Sequence, residues 1–462
     1  MADRTISLGH EIEFESFPGL GSSGDPEESR RPPFLRALLA EFMKGDSVST
    51  SGQRLFFPWG CAYPELSNLL ELNTVPANSI EGILDSLMIA ASRANAAAKR
   101  AFPGGSQSDL FSLTCVNDDL AGPPPALAKG TRSSRGTGLH TNVSVANEAT
   151  NNKTADLLIL VCVALTSLTG AGGFVRSPRG GYHFVRDPRA LHTFHRTTER
   201  GLRRSKPMSK SGGGFNRYQL LALGYSPAVA DVEIRSALLI LAALSAQRLP
   251  RFELISAPWV GFPATSSVEL SEGGQVRRVS ALDLCRLIAE RLLPFRDEEE
   301  ALVSGARAGF DKFCRLIDAV ASKPAREVAS VVPVGWAIQQ AAYEELCDAE
   351  SQPFPSDASP QDGELMNQLA VLSVRSGSVF KVETTLEFLH EQADLSGSPE
   401  EYWWTYRAME RAPSSPRACG DPGWELQNLV RRGGEVSWEK ANNSLAMQLR
   451  SRQRQTELGG LG

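Results

Sequence analysis

The chain has 462 residues, 42% hydrophobic and 22% charged, the balance of a globular protein whose core needs no covalent staples. Its formal net charge of −5 gives no global field for nucleic acid or acidic membranes, so neither is expected as a partner. Seven cysteines stand singly without a CxxC pair, which argues against a disulfide framework or zinc knuckle and for a reducing, cytoplasmic setting.

The opening MADRTISLGHEIEF lacks a basic region followed by an apolar run, so no signal peptide is expected. Residues 5–16 alternate as a strand does, with Glu11 and Glu13 on one face. A Gly-, Ser- and Pro-rich loop covers 17–33, and Pro33 to Met43 is predicted as a helix. GQRLFF, residues 52–57, reads as a strand ending at the turn PWG. Asn78 to Arg100 has helical apolar spacing and a Ser79 cap. Phe111 to Val116 reads as a strand leading into Asn117, Asp118 and Asp119, and residues 121–138 form a loop.

LHTNVSVA, Leu139 to Ala146, alternates again, with His140, Asn142 and Ser144 on one face. Ala155 to Thr169 and Ala228 to Gln247 are predicted as core helices. The apolar run Leu157 to Leu168 is too short to span a bilayer. SPRGGYHFV reads as a hairpin, residues 280–350 as largely helical, and 351–363 as a linker. The last sixty or so residues are expected to form a small C-terminal subdomain.

Four groups of residues point to chemistry. Glu11 and Glu13 project their carboxylates to the same side of a strand, where a divalent cation relieves their repulsion; a solvated strand face is the bland alternative. Arg54 with Glu65 and Glu71 pairs a guanidinium fork for phosphate oxygens with carboxylates for magnesium. His140 and Asn142 offer a ring nitrogen and an amide oxygen to one site, unless His140 is simply structural. Arg179 and Arg417 suit phosphates and Trp438 suits stacking on adenine, although each alone fits a surface arginine or a core tryptophan.

The order of these segments resembles a family. GHEIEF, then QRLFF, YPEL and LLELN, then GLHTNVSV is similar to the Pup ligase and Pup depupylase family, with its G-x-E-x-E-[YF] strand, R-L-Y strand and H-E-N-Y strand. LTGAGGFVRSPRGGYHFVRDPRALH, residues 168–192, resembles the family's C-G-A-G-K-V and P-R-G-x-x-Y hairpin. SKPM, SPRACGD and GGEVSWEK extend the resemblance over nearly the whole chain.

The resemblance implies an α+β fold: a glutamine-synthetase-like, curved antiparallel sheet cradle backed by helices over 1–400, and a small C-terminal domain over 401–462. It implies ATP and Mg2+ as cofactors, and carboxylate and amine substrates drawn from small molecules, peptides or proteins. By position, Glu11 and Glu65 would ligate magnesium, Arg54 would contact phosphate, and Trp438 would line the nucleotide site. Glu13, Glu71, His140, Asn142, Arg179 and Arg417 join them as additional members of the site.

The sequence also departs from the family pattern. Pro58 stands where the family's R-L-Y-x-D strand has its aspartate, Phe56 replaces the tyrosine, and Thr141 replaces the second-position acid of H-E-N-Y. Asp118 and Asp119 are the nearest alternative bases. The polar R-R-L-H-x-x-x-G-D-x-N segment corresponds to NRYQLLALGYSPA, residues 216–228. These changes point to a substrate other than Pup. They leave open a non-catalytic binding protein of the same fold, or an amidase like the depupylase.

Overall fold

The computed structural model describes residues 6–16, 41, 49–51, 54–57, 60–65, 69–101, 110–111, 116–117, 139–146, 152–170, 172–176, 182–187, 202–204, 215–224, 226, 228–256, 267–338, 340–341, 344 and 353–354. In chain order these residues give β1 (Ile6–Ser16), β2 (Ser49–Ser51), β3 (Arg54–Phe57), β4 (Gly60–Glu65), β5 (Leu69–Thr74) and helix α1 (Ile80–Ala101). Short β6 (Leu110–Phe111) and β7 (Val116–Asn117) precede β8 (Leu139–Ala146), α2 (Asn152–Leu168), β9 (Gly173–Arg176) and β10 (Tyr182–Val185). Next come β11 (Leu202–Arg204), β12 (Phe215–Leu220), α3 (Val229–Ser245), β13 (Phe252–Ser256), β14 (Ser267–Glu272) and β15 (Gln275–Ser280). A helical stretch follows: α4 (Ala281–Leu292), α5 (Glu299–Val303), α6 (Ala306–Ser322) and α7 (Ala325–Val331).

Nine strands form one sheet in the order β11-β12-β8-β1-β5-β4-β3-β2, with β6 also pairing to β1. Every described pairing in that sheet is antiparallel. Two three-stranded sheets accompany it, β10-β9-β7 and β13-β14-β15.

Period-two alternation divides the large sheet into two chemically different faces. Ile6, Leu8, His10 and Ile12 of β1 are buried on one side, with Leu139, Thr141, Val143 and Val145 of β8 and Tyr218 and Leu220 of β12. Against this side pack α1 and α3, while α2 packs beside α3 and reaches β11 and β12. Both α2 and α3 are apolar around most of their circumference, which is the pattern of a helix enclosed by other elements.

The helix predicted to start after Ser79 does so, and Ser79 Oγ accepts from the Gly82 amide at 3.2 Å. Of the strand expected over residues 111–116, Phe111 and Val116 fall in two short strands, β6 and β7, that join different sheets, and 112–115 lie outside the described residues. The hairpin β14–β15, two glycines at its turn, lies just before the helical stretch expected from residue 280, where the sequence predicted no element. Its edge strand β15 is largely exposed and so lacks a readable apolar face. The helix expected over Pro33 to Met43 lies outside the described residues except at Glu41, which is helical. The loop 121–138, all but Pro353 and Phe354 of the linker, and the C-terminal domain 401–462 also lie outside them. No helix among the described residues is long and apolar enough to cross a membrane. The described cysteines are free thiols.

Two glycines hold close approaches. Gly309 lets α6 cross α3, since a Cβ there would lie 2.5 Å from the Glu233 carbonyl oxygen. Gly60, at the β3–β4 turn, has φ +152°, and a Cβ there would lie 1.9 Å from the Asn73 carbonyl oxygen. Gly60→Ala is expected to destabilise the protein by more than about 2 kcal/mol. Urea unfolding measures this, and a loss within about 0.5 kcal/mol would contradict the close β4–β5 geometry.

Candidate active site

The polar face of the nine-stranded sheet is built by register. Glu11 pairs with His140 of β8 on one side and with Asn73 of β5 on the other. Glu13 pairs with Glu71, which pairs in turn with Tyr63 of β4. Asn73 pairs with Cys61 of β4, and Cys61 with Phe56 of β3. Residues paired across an antiparallel ladder share a face, as do positions two apart on one strand. Glu11, Glu13, Glu65, Glu71, Arg54, His140 and Asn142 therefore all occupy one face of one sheet.

Glu11 sits at its centre and is 8% exposed. Asn142 Nδ2 and Arg217 Nη2 both donate to its Oε1 at 2.9 Å. Gln219 Nε2 donates to Oε2 at 2.6 Å, and His140 Nδ1 lies 3.4 Å from the same oxygen. Arg217 Nε also donates to Asn142 Oδ1 at 2.8 Å, closing a ring of three side chains. Burial works to raise the Glu11 pKa, but the contacts with His140 and Asn142 and the charge of Arg217 outweigh it and hold the pKa below its ordinary value.

On the β5 side the donors and acceptors differ. Glu71 is 1% exposed and accepts the Tyr63 hydroxyl proton. Burial and the Glu71 carboxylate hold the Tyr63 pKa above its usual value, so the phenol stays protonated. Asn73 Oδ1 is a buried acceptor with no hydrogen-bond partner among the described residues. A buried orphan oxygen is expensive unless something occupies it, and a hard cation suits it. The β5 side thus leaves an acceptor oxygen open, whereas the four lone-pair directions of Glu11 are already taken; no group of three or more His, Cys, Asp or Glu able to hold a metal gathers among the described residues.

Directly behind Glu11, the same strand carries His10, 4% exposed, toward the helices. A second polar cluster lies on that side. Arg235 pairs with Asp187 at 3.1 Å and bonds Thr169 Oγ1 at 2.8 Å. Asp231 accepts from the Gly170 and Gly335 amides and from Ser226 Oγ. Burial raises the Asp231 pKa to about 6, against the pull of Arg235 and its hydrogen-bond donors.

Comparisons with known proteins add the fold. No protein-family profile and no curated protein sequence matches the chain. Among solved structures, the complex between the prokaryotic ubiquitin-like protein Pup and its ligase PafA superposes with a TM-score of 0.65 at 15% identity, covering 94% of this chain and 86% of that one. The Pup ligase PafA in complex with ADP gives 0.57 at 15% identity, covering 90% of this chain and 87% of that one. This chain has the Pup-ligase fold.

Within that fold the expected site residues divide into three groups. Glu11, Glu71, His140 and Asn142 lie on the polar face with their side chains described above. Arg54, Glu13 and Glu65 are placed on the same face by register. Asp118, Asp119, Arg179, Arg417 and Trp438 lie outside the described residues, as does Pro58.

Arg217 and Gln219, which contact Glu11, were not among the residues singled out from the sequence. The alternation Phe215, Arg217, Gln219 against Asn216, Tyr218, Leu220 is the signal that marks a strand with a polar face there. Reading NRYQLL against the family's polar segment obscured it.

The buried His10 yields a pH prediction. Burial, reinforced by Arg235 and opposed by Glu11, lowers its pKa from 6.5 to about 3. The folded state then holds His10 neutral while the unfolded chain protonates it below about 6.5, so this stability is present at neutral pH and lost on acidification. Between about pH 7.5 and about 5 the loss is on the order of 2 kcal/mol. Asp231 titrates in the opposite sense, so the diagnostic is a difference between proteins. Denaturant unfolding at both pH values should show a flatter pH dependence for His10→Gln than for the parent. Parallel curves would remove His10 from this role.

Proposed function

We propose that the chain is an ATP-dependent carboxylate–amine ligase whose substrate is not Pup. The reading is carried by one observation: four glutamates, Arg54, Arg217, His140 and Asn142 are gathered on one face of the sheet, and helices close the other. A Pup-ligase fold bound to ADP is known for PafA, and its partner Pup is a protein. These neighbours support the reaction class.

In the proposed reaction, a substrate carboxylate oxygen attacks the γ-phosphorus of ATP and ADP leaves. The resulting acyl phosphate is attacked at carbon by an amine, phosphate departs, and the nitrogen loses a proton as the amide forms. The protein's share is electrostatic, because charge must be neutralised on the triphosphate and on the transferred phosphoryl group. Arg54 supplies a fork for phosphate oxygens. Asn142 and Gln219 fix Glu11 and Arg217 in one geometry, so no reorganisation accompanies phosphate binding. A divalent cation on the β5 side would be held by Glu71 and the Asn73 side-chain amide oxygen, with Glu13 beside them on the same face, and would neutralise phosphate charge. Asp118 and Asp119 remain the proposed bases for the departing amine proton.

A second reading draws on the closure of Glu11 by four protein groups. A binding protein that has kept the fold and lost turnover needs no open carboxylate there.

ATP with Mg2+ should raise the melting temperature, since a ligand that binds only the folded state stabilises it by about 2.7 kcal/mol at a hundred times its Kd. Arg54→Ala should abolish that shift while leaving the ligand-free melting temperature within a few degrees. ADP release that requires both a carboxylate and an amine completes the test. Absence of any ATP-induced shift at millimolar nucleotide would defeat the ligase reading; a shift without turnover across a broad substrate panel would favour the binding protein.

A further inference from the structure

We propose that Arg217 takes the place of a divalent cation at Glu11, so that this half of the sheet face carries no metal and binds its countercharge as a built-in guanidinium. The inference deepens the ligase reading, and rests on it only for the claim that the face serves phosphate chemistry; the metal content stands on geometry alone.

A carboxylate offers about four lone-pair directions. At Glu11, Asn142 Nδ2 and Arg217 Nη2 take Oε1, while Gln219 Nε2 and His140 Nδ1 face Oε2. Asn142 has spent its oxygen as well, on Arg217 Nε. The three residues that a metal at this corner would draw on thus face each other and Arg217. A metal ion would have to displace the guanidinium from a position where it makes two charge-assisted or bridging hydrogen bonds.

The placement of Arg217 is fixed by the strand that carries it. Tyr218 of β12 is fully buried against the helices, and its register with Val143 puts the flanking Arg217 and Gln219 on the polar face. The strand pairs Gln219 with Asn142 and Arg217 with Ser144, which brings both side chains diagonally onto Glu11, one strand further on. Arg217 is the outer member: its side chain is 32% exposed and that of Glu11 10%. The guanidinium is thus the more exposed partner of the pair and the carboxylate the more buried one. A fixed monovalent cation with a planar fork meets the electrostatic need of Glu11 without loading from solution.

The β5 side offers the contrast. There the side-chain amide oxygen Oδ1 of Asn73, opposite Glu11 in the ladder, is buried without a partner among the described residues. The two sides of Glu11 are thus unlike in their donors, and one cation position is already filled by the protein.

The test counts Mn2+ bound to the purified full chain, without nucleotide, by electron paramagnetic resonance and equilibrium dialysis. Glu11→Gln is expected to bind the same number of Mn2+ ions per chain as the parent. Arg217→Ala is expected to gain one ion, and the double variant Glu11→Gln, Arg217→Ala to lose that extra ion again. In EDTA, Arg217→Ala should melt several degrees lower than the parent, with Mn2+ restoring most of the difference. Loss of one Mn2+ in Glu11→Gln would overturn the proposal, and so would an unchanged count in Arg217→Ala. Should Arg217→Ala not fold, the Glu11→Gln count alone decides. Since no nucleotide is present, the result is separate from whether the chain binds ATP.

Discussion

A carboxylate held at less than a tenth of its free exposure in the middle of a sheet must be compensated on the spot. Desolvating an isolated charge is far more costly than any single contact returns. Among the described residues, Glu11 meets this demand with side chains from the two adjoining strands β8 and β12. The compensation therefore exists only if both ladders are in register. A slip of one residue in β8 would exchange His140 and Asn142 for Leu139, Thr141 and Val143, placing aliphatic groups against the carboxylate. The polar face and the order of the strands thus depend on each other.

The opposite face of β1 carries the same constraint in another form. His10 points toward helices whose interior also encloses Arg235, Asp187 and Asp231. The Arg235 guanidinium is satisfied by Asp187, Thr169 and the Gly224 carbonyl, and Asp231 by two backbone amides and a serine. These bonds join α3 to the ends of α2 and β10 and to the loop following β12. Apolar packing is non-directional, so α3 alone would sit against the sheet in several rotations. The buried ion pair permits one, which fits the use of polar groups for specificity rather than for net stability.

How much of this was legible depended on the local contrast between faces. Strands β1 and β8 were readable because polar and apolar residues alternate over seven or more positions, and α1, α2 and α3 because their apolar runs are too long for strands. Strand β4 was not, since Gly60 opens it and Pro64 stands inside it, and proline is normally kept out of interior strands. It nevertheless pairs on both sides, with Pro64 opposite Leu70. Strand β5 was hidden by its length of six residues and its leucines on both faces. Glu71 was identified as a candidate without a strand to place it; register with Glu13 and Tyr63 supplies the placement. Arg217 and Gln219 were hidden for a different reason. Their role is defined by Glu11, more than two hundred positions away, and only the strand order β12-β8-β1 brings them together.

The same strand order gives the face a polarity across its width. On the β8 and β12 side every acidic oxygen of Glu11 meets a protein donor, and the cation is covalently part of the chain. Toward β5 and β4 the register puts Glu13, Glu65 and Glu71 on the same face as Asn73, whose side-chain amide oxygen lacks a partner among the described residues, with Arg54 further on in β3. Three formal negative charges against one positive charge leave that half attractive to a mobile cation, whereas the other half is already balanced. In the proposed reaction, a triphosphate approaching this face would meet fixed positive charge at Arg217, and would cross the acidic β5 side only with a cation in attendance. In the proposed ligase, a metal at one strip and not at the other would make nucleotide binding depend on a single loaded position, a consequence of which strand carries the arginine.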